Sequence, residues 1–360
     1  MTYAFAAAGT GGHVFPALAV ADALVDSGVD HSEIVFFGGD RIEARAVPAA
    51  GFDFVPVELR GLKRSLAPQN LGIPRVVWRA RNTMRDTMRQ RATKACIVFG
   101  GYVSVPAALA ARRVGASVFV QEQNARAGLA NRFVARRADR VFVGFAAARN
   151  QLKGAEFTGN PLRSVFARFD RETLRNRARD RYGIPDDRPV LGVLGGSLGA
   201  KILNEVTEAL ARSMEPDHMA IIHLTGRPHH ADVEEKASRA AIVWRPIAFE
   251  DQMELFYAAS DLVLSRAGAL TINELAATGT PAVVVPLGLG TNQAANAAEL
   301  EAAGGLVQIP QTQIDQVPIV IDQLIVDSAR RTAMGAAMAS HGRPAAARVI
   351  AAALREAVDG

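Results

Sequence analysis

Short apolar runs alternate with helix-period segments through most of the chain. Residues 3–8, 34–37, 52–57, 95–99, 117–120 and 140–143 are β-prone runs, and stretches such as 17–25 and 107–113 between them carry apolar residues at helical spacing. Strands this uniformly apolar suit a parallel sheet covered on both faces. Around Gly159, Asn160 and Pro161 the alternation breaks, and a charged stretch follows at 163–187. The pattern then restarts with strands at 190–194, 220–224, 242–244, 262–264 and 282–285 and helices near 202–212, 253–259 and 271–277. Each half opens with a strand that runs into glycines and then a helix: AAAGTGGHVFPALAVADAL at the start, VLGVLGGSLGAKILNEVTEAL from residue 190. The pattern predicts an α/β chain of two Rossmann-like domains, 1–161 and 162–341, with their strand ends facing a central cleft. The amphipathic segment at 345–358 is expected to bring 342–360 back onto the first domain.

Composition narrows the class. At 360 residues the chain exceeds what one core usually supports, and 49% hydrophobic with 21% charged residues is globular. A single cysteine, Cys96, excludes an intramolecular disulfide framework and offers no zinc cluster, so no metal is expected. The amino-terminal MTYAFAAAGTGGH has no basic region of a signal peptide, and no apolar run reaches the roughly 18 residues of a spanning helix, so a cytoplasmic protein is expected.

The net charge of +5 matters less than its distribution. Between Arg60 and Lys94 the basic residues stand against one acid, Asp86, and they interleave with apolar side chains. Leu71, Ile73, Arg75, Val76, Val77, Trp78 and Arg79 form the centre of this stretch. Such a mixture fits an anionic membrane surface better than nucleic acid, where exposed aliphatic groups would have no partner. A solvated arginine-rich helix is the plainer alternative.

Candidate chemistry gathers at strand ends. In SRAGALTINELAATGTPAVVVPLGLGTNQAAN (265–296), Gly268 permits a sharp turn, and a helix starting near Ala269 would present the N–H groups of Ala269, Leu270 and Thr271 to an anion. Glu274 lies one turn further, and Asn292, Gln293 and Asn296 follow a glycine-rich loop. An ordinary βαβ unit would read the same way locally. The first strand leads to Gly9-Thr10-Gly11-Gly12-His13, with Pro16 placed near the first turn of the next helix. Val14 stands where a dinucleotide fingerprint needs its third glycine, which argues against NAD. His13 is a candidate general base, or a brace of its own loop through backbone hydrogen bonds. Gly100-Gly101-Tyr102 and Glu122-Gln123-Asn124 are further polar clusters at strand ends. No Asp-x-Asp motif, P-loop, nucleophile elbow or His-Glu-x-x-His is present, so a phosphate leaving group would rely on helix ends and side chains.

Six motifs in order, GTGGHVFPALAVA, GGYVSVPAALAA, QEQNARAGLANR, GNPLR, LGGSLGAKILN and SRAGALTINELAATGTPAVVVP, give the chain a resemblance to the family of glycosyltransferases that complete the lipid-linked peptidoglycan precursor. The resemblance implies a GT-B fold and inverting transfer of N-acetylglucosamine from UDP-GlcNAc to the 4-hydroxyl of undecaprenyl-pyrophosphoryl-N-acetylmuramyl-pentapeptide, with no cofactor. It also implies a peripheral position on the cytoplasmic face of the plasma membrane, beside cell-wall and division assembly proteins. Position by position, it puts Thr10, Gly11, Gly12 and His13 near the reacting centre, with His13 as base and Glu122 as second choice. Asn124 would hold donor or acceptor sugar groups. Arg163 and Ser197 would contact the nucleotide, Ala269, Leu270 and Thr271 the phosphates, Glu274 the ribose and Gln293 the GlcNAc hydroxyls. The main chain near Phe249 and Glu250 would read the uracil edge. The sequence departs from the family where Leu198 replaces an amide in GGSLGA and in the glycine-rich loop 287–292. The rival readings are a nucleotide-sugar 2-epimerase of the same fold and a sugar-nucleotide-binding scaffold module.

Overall fold

The computed structural model describes residues 2–58, 73–196, 198–288 and 291–359, with the side chains of 73 and 74 not included. Ser197, Leu71 and the side chain of Ile73, all expected above to have roles, lie outside the described residues. The chain divides into two compact units, Met1–Ser164 with Pro344–Gly360, and Val165–Arg343, against expected boundaries of 161/162 and 341/342. Arg163, expected in the second domain, falls in the first unit.

The first unit is a parallel sheet of β1 (Thr2–Ala6), β2 (Ile34–Gly38), β3 (Asp53–Pro56), β4 (Thr93–Val98), β5 (Ser117–Glu122), β6 (Arg140–Val143) and β7 (Ala155–Phe157), in the order β3-β2-β1-β4-β5-β6-β7. Successive side chains of β1 point to opposite faces. Tyr3 and Phe5 enter the layer that holds the helix Gly11–Asp26, whereas Ala4 and Ala6 face the helices Ile73–Gln90 and Ser104–Arg113. The Phe5 ring stacks on Phe36 and Phe99, with centroids 4.9 and 6.1 Å apart. The last helix, Ala346–Asp359, inserts Ala347, Ile350, Ala351 and Leu354, one helical stripe, into that same layer.

The second unit repeats the plan with β8 (Val190–Leu194), β9 (Ala220–Leu224), β10 (Val243–Ile247), β11 (Leu262–Ser265), β12 (Ala282–Val284) and β13 (Leu306–Gln308), in the parallel order β10-β9-β8-β11-β12-β13. The three-residue strands β7 and β13 each include a polar residue, Glu156 and Gln308, so neither forms the short apolar run that marks β12, and they were not foreseen.

One polar group in this core carries a pH prediction. His223 is fully buried on β9, stacks on Trp244 at 5.9 Å, and donates from Nε2 to Asn204 Oδ1 at 3.0 Å, while its Nδ1 is buried without a partner among the described residues. Protonation would place a second N–H where nothing accepts it, and burial pushes the imidazole down to about 3. In the unfolded chain it titrates near its ordinary 6.5. Below that pH the unfolded state binds the extra proton, so stability falls as the pH drops from 6.5 towards 3 and is unaffected above. Between pH 7 and pH 5 wild type is expected to lose about 2 kcal/mol relative to His223→Leu, read by urea unfolding at the two pH values.

Candidate active site

In both units the strand order reverses between two neighbours, β1 and β4 in the first and β8 and β11 in the second. The loops leaving the carboxyl ends of strands diverge at such a point, which is where open parallel sheets bind ligands. The glycine motifs at 9–13, 100–101, 195–199 and 266–268 all leave strands at these two points.

In the first unit the helix begins at Gly11, so Gly11, Gly12 and His13 form its first turn rather than a free loop. Thr10 is the extended N-cap residue and makes no side-chain capping bond. Pro16 consequently sits in the second turn and not the first, and the helix forgoes the bond that an N–H there would give the Gly12 carbonyl. The His13 Nδ1 lies 2.9 Å from the Ala8 carbonyl oxygen. A carbonyl only accepts, so Nδ1 carries the proton and Nε2 presents its lone pair. Brace and base are therefore compatible in one tautomer. A Cβ on Gly100 would stand 3.2 Å from His13 Nε2 and 3.5 Å from Asn131 Nδ2, so glycine there lets both side chains approach the β4 loop.

Glu122 has a different role from that of a second base. Its Oε1 accepts from the Asn124 N–H at 2.9 Å and Asn124 Nδ2 at 3.3 Å, and its Oε2 from the Gly128 N–H and Asn131 Nδ2, both at 2.9 Å. With two donors on each oxygen, this buried carboxylate organises the loop after β5 and has no spare acceptor for a substrate proton. Asn160 extends the scaffold, accepting from Gln121 Nε2 at 3.0 Å and donating to the Gln123 carbonyl at 2.9 Å. Asn124 is thus aimed by a buried amide and carboxylate network.

In the second unit the helix Ala269–Thr278 starts after Gly268, an extended N-cap residue without a side-chain capping bond. The first-turn N–H groups of Leu270 and Thr271 have no carbonyl one turn back. Glu274 accepts from the Tyr257 hydroxyl at 2.8 Å, which fixes its carboxylate near this helix start. Arg266 donates to the carbonyls of Val285 and Pro286 at 3.0 and 3.3 Å and joins the β11 and β12 loops. Beyond β12, Gln293 Oε1 accepts from the Leu287 N–H at 2.8 Å. Phe249 is 42% exposed beneath the Arg227 guanidinium, 5.4 Å from its ring. The Glu250 side chain is buried and takes bonds from Arg181, Tyr182 and the Gln252 N–H. Burial alone would raise this carboxyl, but those donors outweigh it and hold it below the usual range. Only the main chain of Glu250 remains available for a ligand.

On the helix Ile73–Gln90, Ala80, Met84 and Met88 form the buried stripe, Val76 and Val77 are half-buried, and Arg75, Arg79 and Trp78 are exposed, Trp78 by 56%. Among the described residues no helix is long and apolar enough to cross a membrane, and no group of three or more His, Cys, Asp or Glu could hold a metal ion.

Several site residues were assigned no role from the sequence. Asn131, Asn160 and Tyr257 act by aiming others, and Glu43 is fully buried against the Gly9 loop. The glycine pair Gly38-Gly39 was the available signal for Glu43, since Cβ atoms there would lie 2.7 Å from its Cγ and 3.1 Å from its Oε1.

Comparison with known proteins places this geometry. Residues 3–143 match the glycosyltransferase family 28 N-terminal domain and residues 190–350 its C-terminal domain. A relative from Acidothermus cellulolyticus, named UDP-N-acetylglucosamine--N-acetylmuramyl-(pentapeptide) pyrophosphoryl-undecaprenol N-acetylglucosamine transferase, is 38% identical over 95% of this chain and 94% of its own length. The crystal structure of Acinetobacter baumannii MurG superposes with a TM-score of 0.78 at 28% identity, covering 99% of this chain and all of that one. A UDP-GlcNAc 2-epimerase from Neisseria meningitidis, bound to UDP-GlcNAc, shares the fold alone, with a TM-score of 0.70 at 14% identity over 99% of this chain and 100% of its own. Two Rossmann-like parallel-sheet units, matched in order by both halves of one family, are the GT-B architecture, and the chain belongs to glycosyltransferase family 28.

Proposed function

We propose that the chain transfers GlcNAc from UDP-GlcNAc to the 4-hydroxyl of the N-acetylmuramyl-pentapeptide carried on undecaprenyl pyrophosphate, with inversion at C1. The hydroxyl oxygen forms the new bond to C1 as the bond from C1 to the β-phosphate oxygen breaks. The proton passes to His13 Nε2, and UDP leaves with the electron pair. Gly11 and Gly12 let the acceptor approach the helix start at Thr10, and Asn124 orients sugar groups. In the second unit the N–H groups of Ala269, Leu270 and Thr271 take the phosphates, where charge develops as UDP departs. Glu274 binds the ribose, Gln293 the GlcNAc hydroxyls, and the main chain at Phe249 and Glu250 the uracil, with Arg163 and Ser197 on the nucleotide.

The observation that carries this reading is the His13 imidazole, whose Nδ1 is braced on the Ala8 carbonyl so that Nε2 keeps its lone pair, on a chain whose other unit offers a helix start after the extended Gly268 with a fixed carboxylate one turn on. The exposed Trp78, Arg75 and Arg79 seat the first unit on the anionic cytoplasmic membrane surface, where the acceptor's lipid is embedded.

Incubation with UDP-GlcNAc and the lipid-linked muramyl-pentapeptide, followed by mass analysis of the lipid, is expected to give an acceptor heavier by one GlcNAc residue. A 2-epimerised nucleotide sugar formed from UDP-GlcNAc alone would support the epimerase instead. Binding of UDP-GlcNAc without transfer would support a scaffold module.

A further inference from the structure

Two of the hydrogen bonds around the first helix meet on one peptide group. The carbonyl of Ala8 accepts from His13 Nδ1 at 2.9 Å, and the N–H of Gly9, the other end of the same planar amide, donates to Glu43 Oε2 at 3.1 Å. Glu43 Oε1 accepts from the Gly39 N–H at 2.9 Å. The residue is fully buried, and among the described residues its carboxylate has no ion pair. Two glycines make the room, since side chains at Gly38 or Gly39 would collide with it. Tyr102 lies beside it: burial first, then the Glu43 charge, raises its phenol, on which Arg41 and Asp40 also act.

A buried carboxylate is costly to keep, and this one is placed where it polarises the Ala8–Gly9 peptide as well as holding the Gly39 N–H. An anionic acceptor draws on the Gly9 N–H, which increases the negative charge on the Ala8 oxygen and strengthens the bond that oxygen takes from His13. The proton is thereby held on Nδ1, and the lone pair is left on Nε2. A carboxylate that orients a histidine by its second nitrogen does the same work directly. Here a peptide unit stands between them.

We propose that Glu43 is a positioning residue: through the Ala8–Gly9 peptide its carboxylate fixes His13 in the tautomer whose Nε2 accepts the acceptor's proton. The catalytic part rests on the reading of His13 as base, whereas the tautomer part does not. Glutamine is the informative replacement, because its one amide oxygen can satisfy Gly9 or Gly39 but not both, and carries no charge.

The test is a long-range proton–nitrogen NMR spectrum of histidine-labelled full-length protein, with His13 assigned by its loss in His13→Asn. Wild type is expected to show the Nδ1–H form, and Glu43→Gln a mixture containing the Nε2–H form. UDP affinity is expected to hold in the variant, while kcat falls about 10–100-fold with the donor KM little changed. An Nε2–H form in wild type overturns the proposal without any variant. So does an unchanged tautomer in a folded Glu43→Gln protein, whatever its activity. A shifted tautomer with wild-type kcat would leave the relay standing and remove His13 from proton transfer, which is the failure of the base reading.

Discussion

His13→Ala is expected to lower kcat by about 10²–10⁴-fold, the usual share of a positioned general base. UDP affinity should change little, because the nucleotide contacts, Arg163 apart, are assigned to the second unit. Alanine removes two things at once, the Nε2 lone pair and the Nδ1 bond to the Ala8 carbonyl. His13→Asn separates them. An asparagine amide nitrogen occupies nearly the place of Nδ1 and can still donate to Ala8, but nothing replaces Nε2. If proton transfer is the role of His13, the asparagine variant recovers stability without recovering turnover. If bracing is the whole of it, asparagine restores turnover as well. The comparison is made by steady-state kinetics beside thermal unfolding of the same samples.

Strand content was legible because β1, β4, β5 and β8 are buried on both faces, and continuous apolar runs of that kind need no partner to be recognised. Glycine loops were legible for a similarly local reason, since a strand running into glycines and then a helix marks a carboxyl edge wherever it occurs. What the chain order could not give was the state of each side chain at those edges. His13 looked like a loop residue, and only the helix register, which starts at Gly11, turns its Nδ1 back on Ala8. Glu122 stood as the second choice of base on the family resemblance. Its four donors come from Asn124, Gly128 and Asn131, and a single sequence does not reveal which carboxylates are already satisfied. Glu43 was harder still, because it sits in no motif and reaches Gly9 across 34 residues of chain. Resemblance to a family supplied roles for Glu274 and Gln293, while their partners Tyr257 and Leu287 emerged only from packing.

Gly199→Ala is expected to be the most damaging single methyl in the second unit. Gly199 has φ +74°, and a Cβ there would lie 2.0 Å from the Thr225 carbonyl oxygen and 2.8 Å from its carbon. Across the same contact, a Cβ on Gly226 would lie 2.3 Å from the Leu198 carbonyl oxygen. The loops after β8 and β9 therefore touch backbone to backbone, and neither neighbour is a flexible side-chain end that could swing away. Restoring an ordinary separation would move one loop by about 1 Å, a displacement that can cost about 10²-fold in a positioned site. The left-handed backbone adds strain of its own for alanine. Since this glycine loop leaves the strand at which the second sheet reverses its order, UDP affinity is expected to fall on the order of 100-fold, together with a loss of thermal stability. Leu198→Gln is the control at the neighbouring position. Its side chain is 74% exposed, so the exchange should leave stability within about 0.5 kcal/mol. Calorimetric UDP binding by the two variants separates backbone geometry from side-chain chemistry. Wild-type affinity in a folded Gly199→Ala protein would take this loop out of the nucleotide site, and a large loss in Leu198→Gln would mean that the leucine itself meets the ligand.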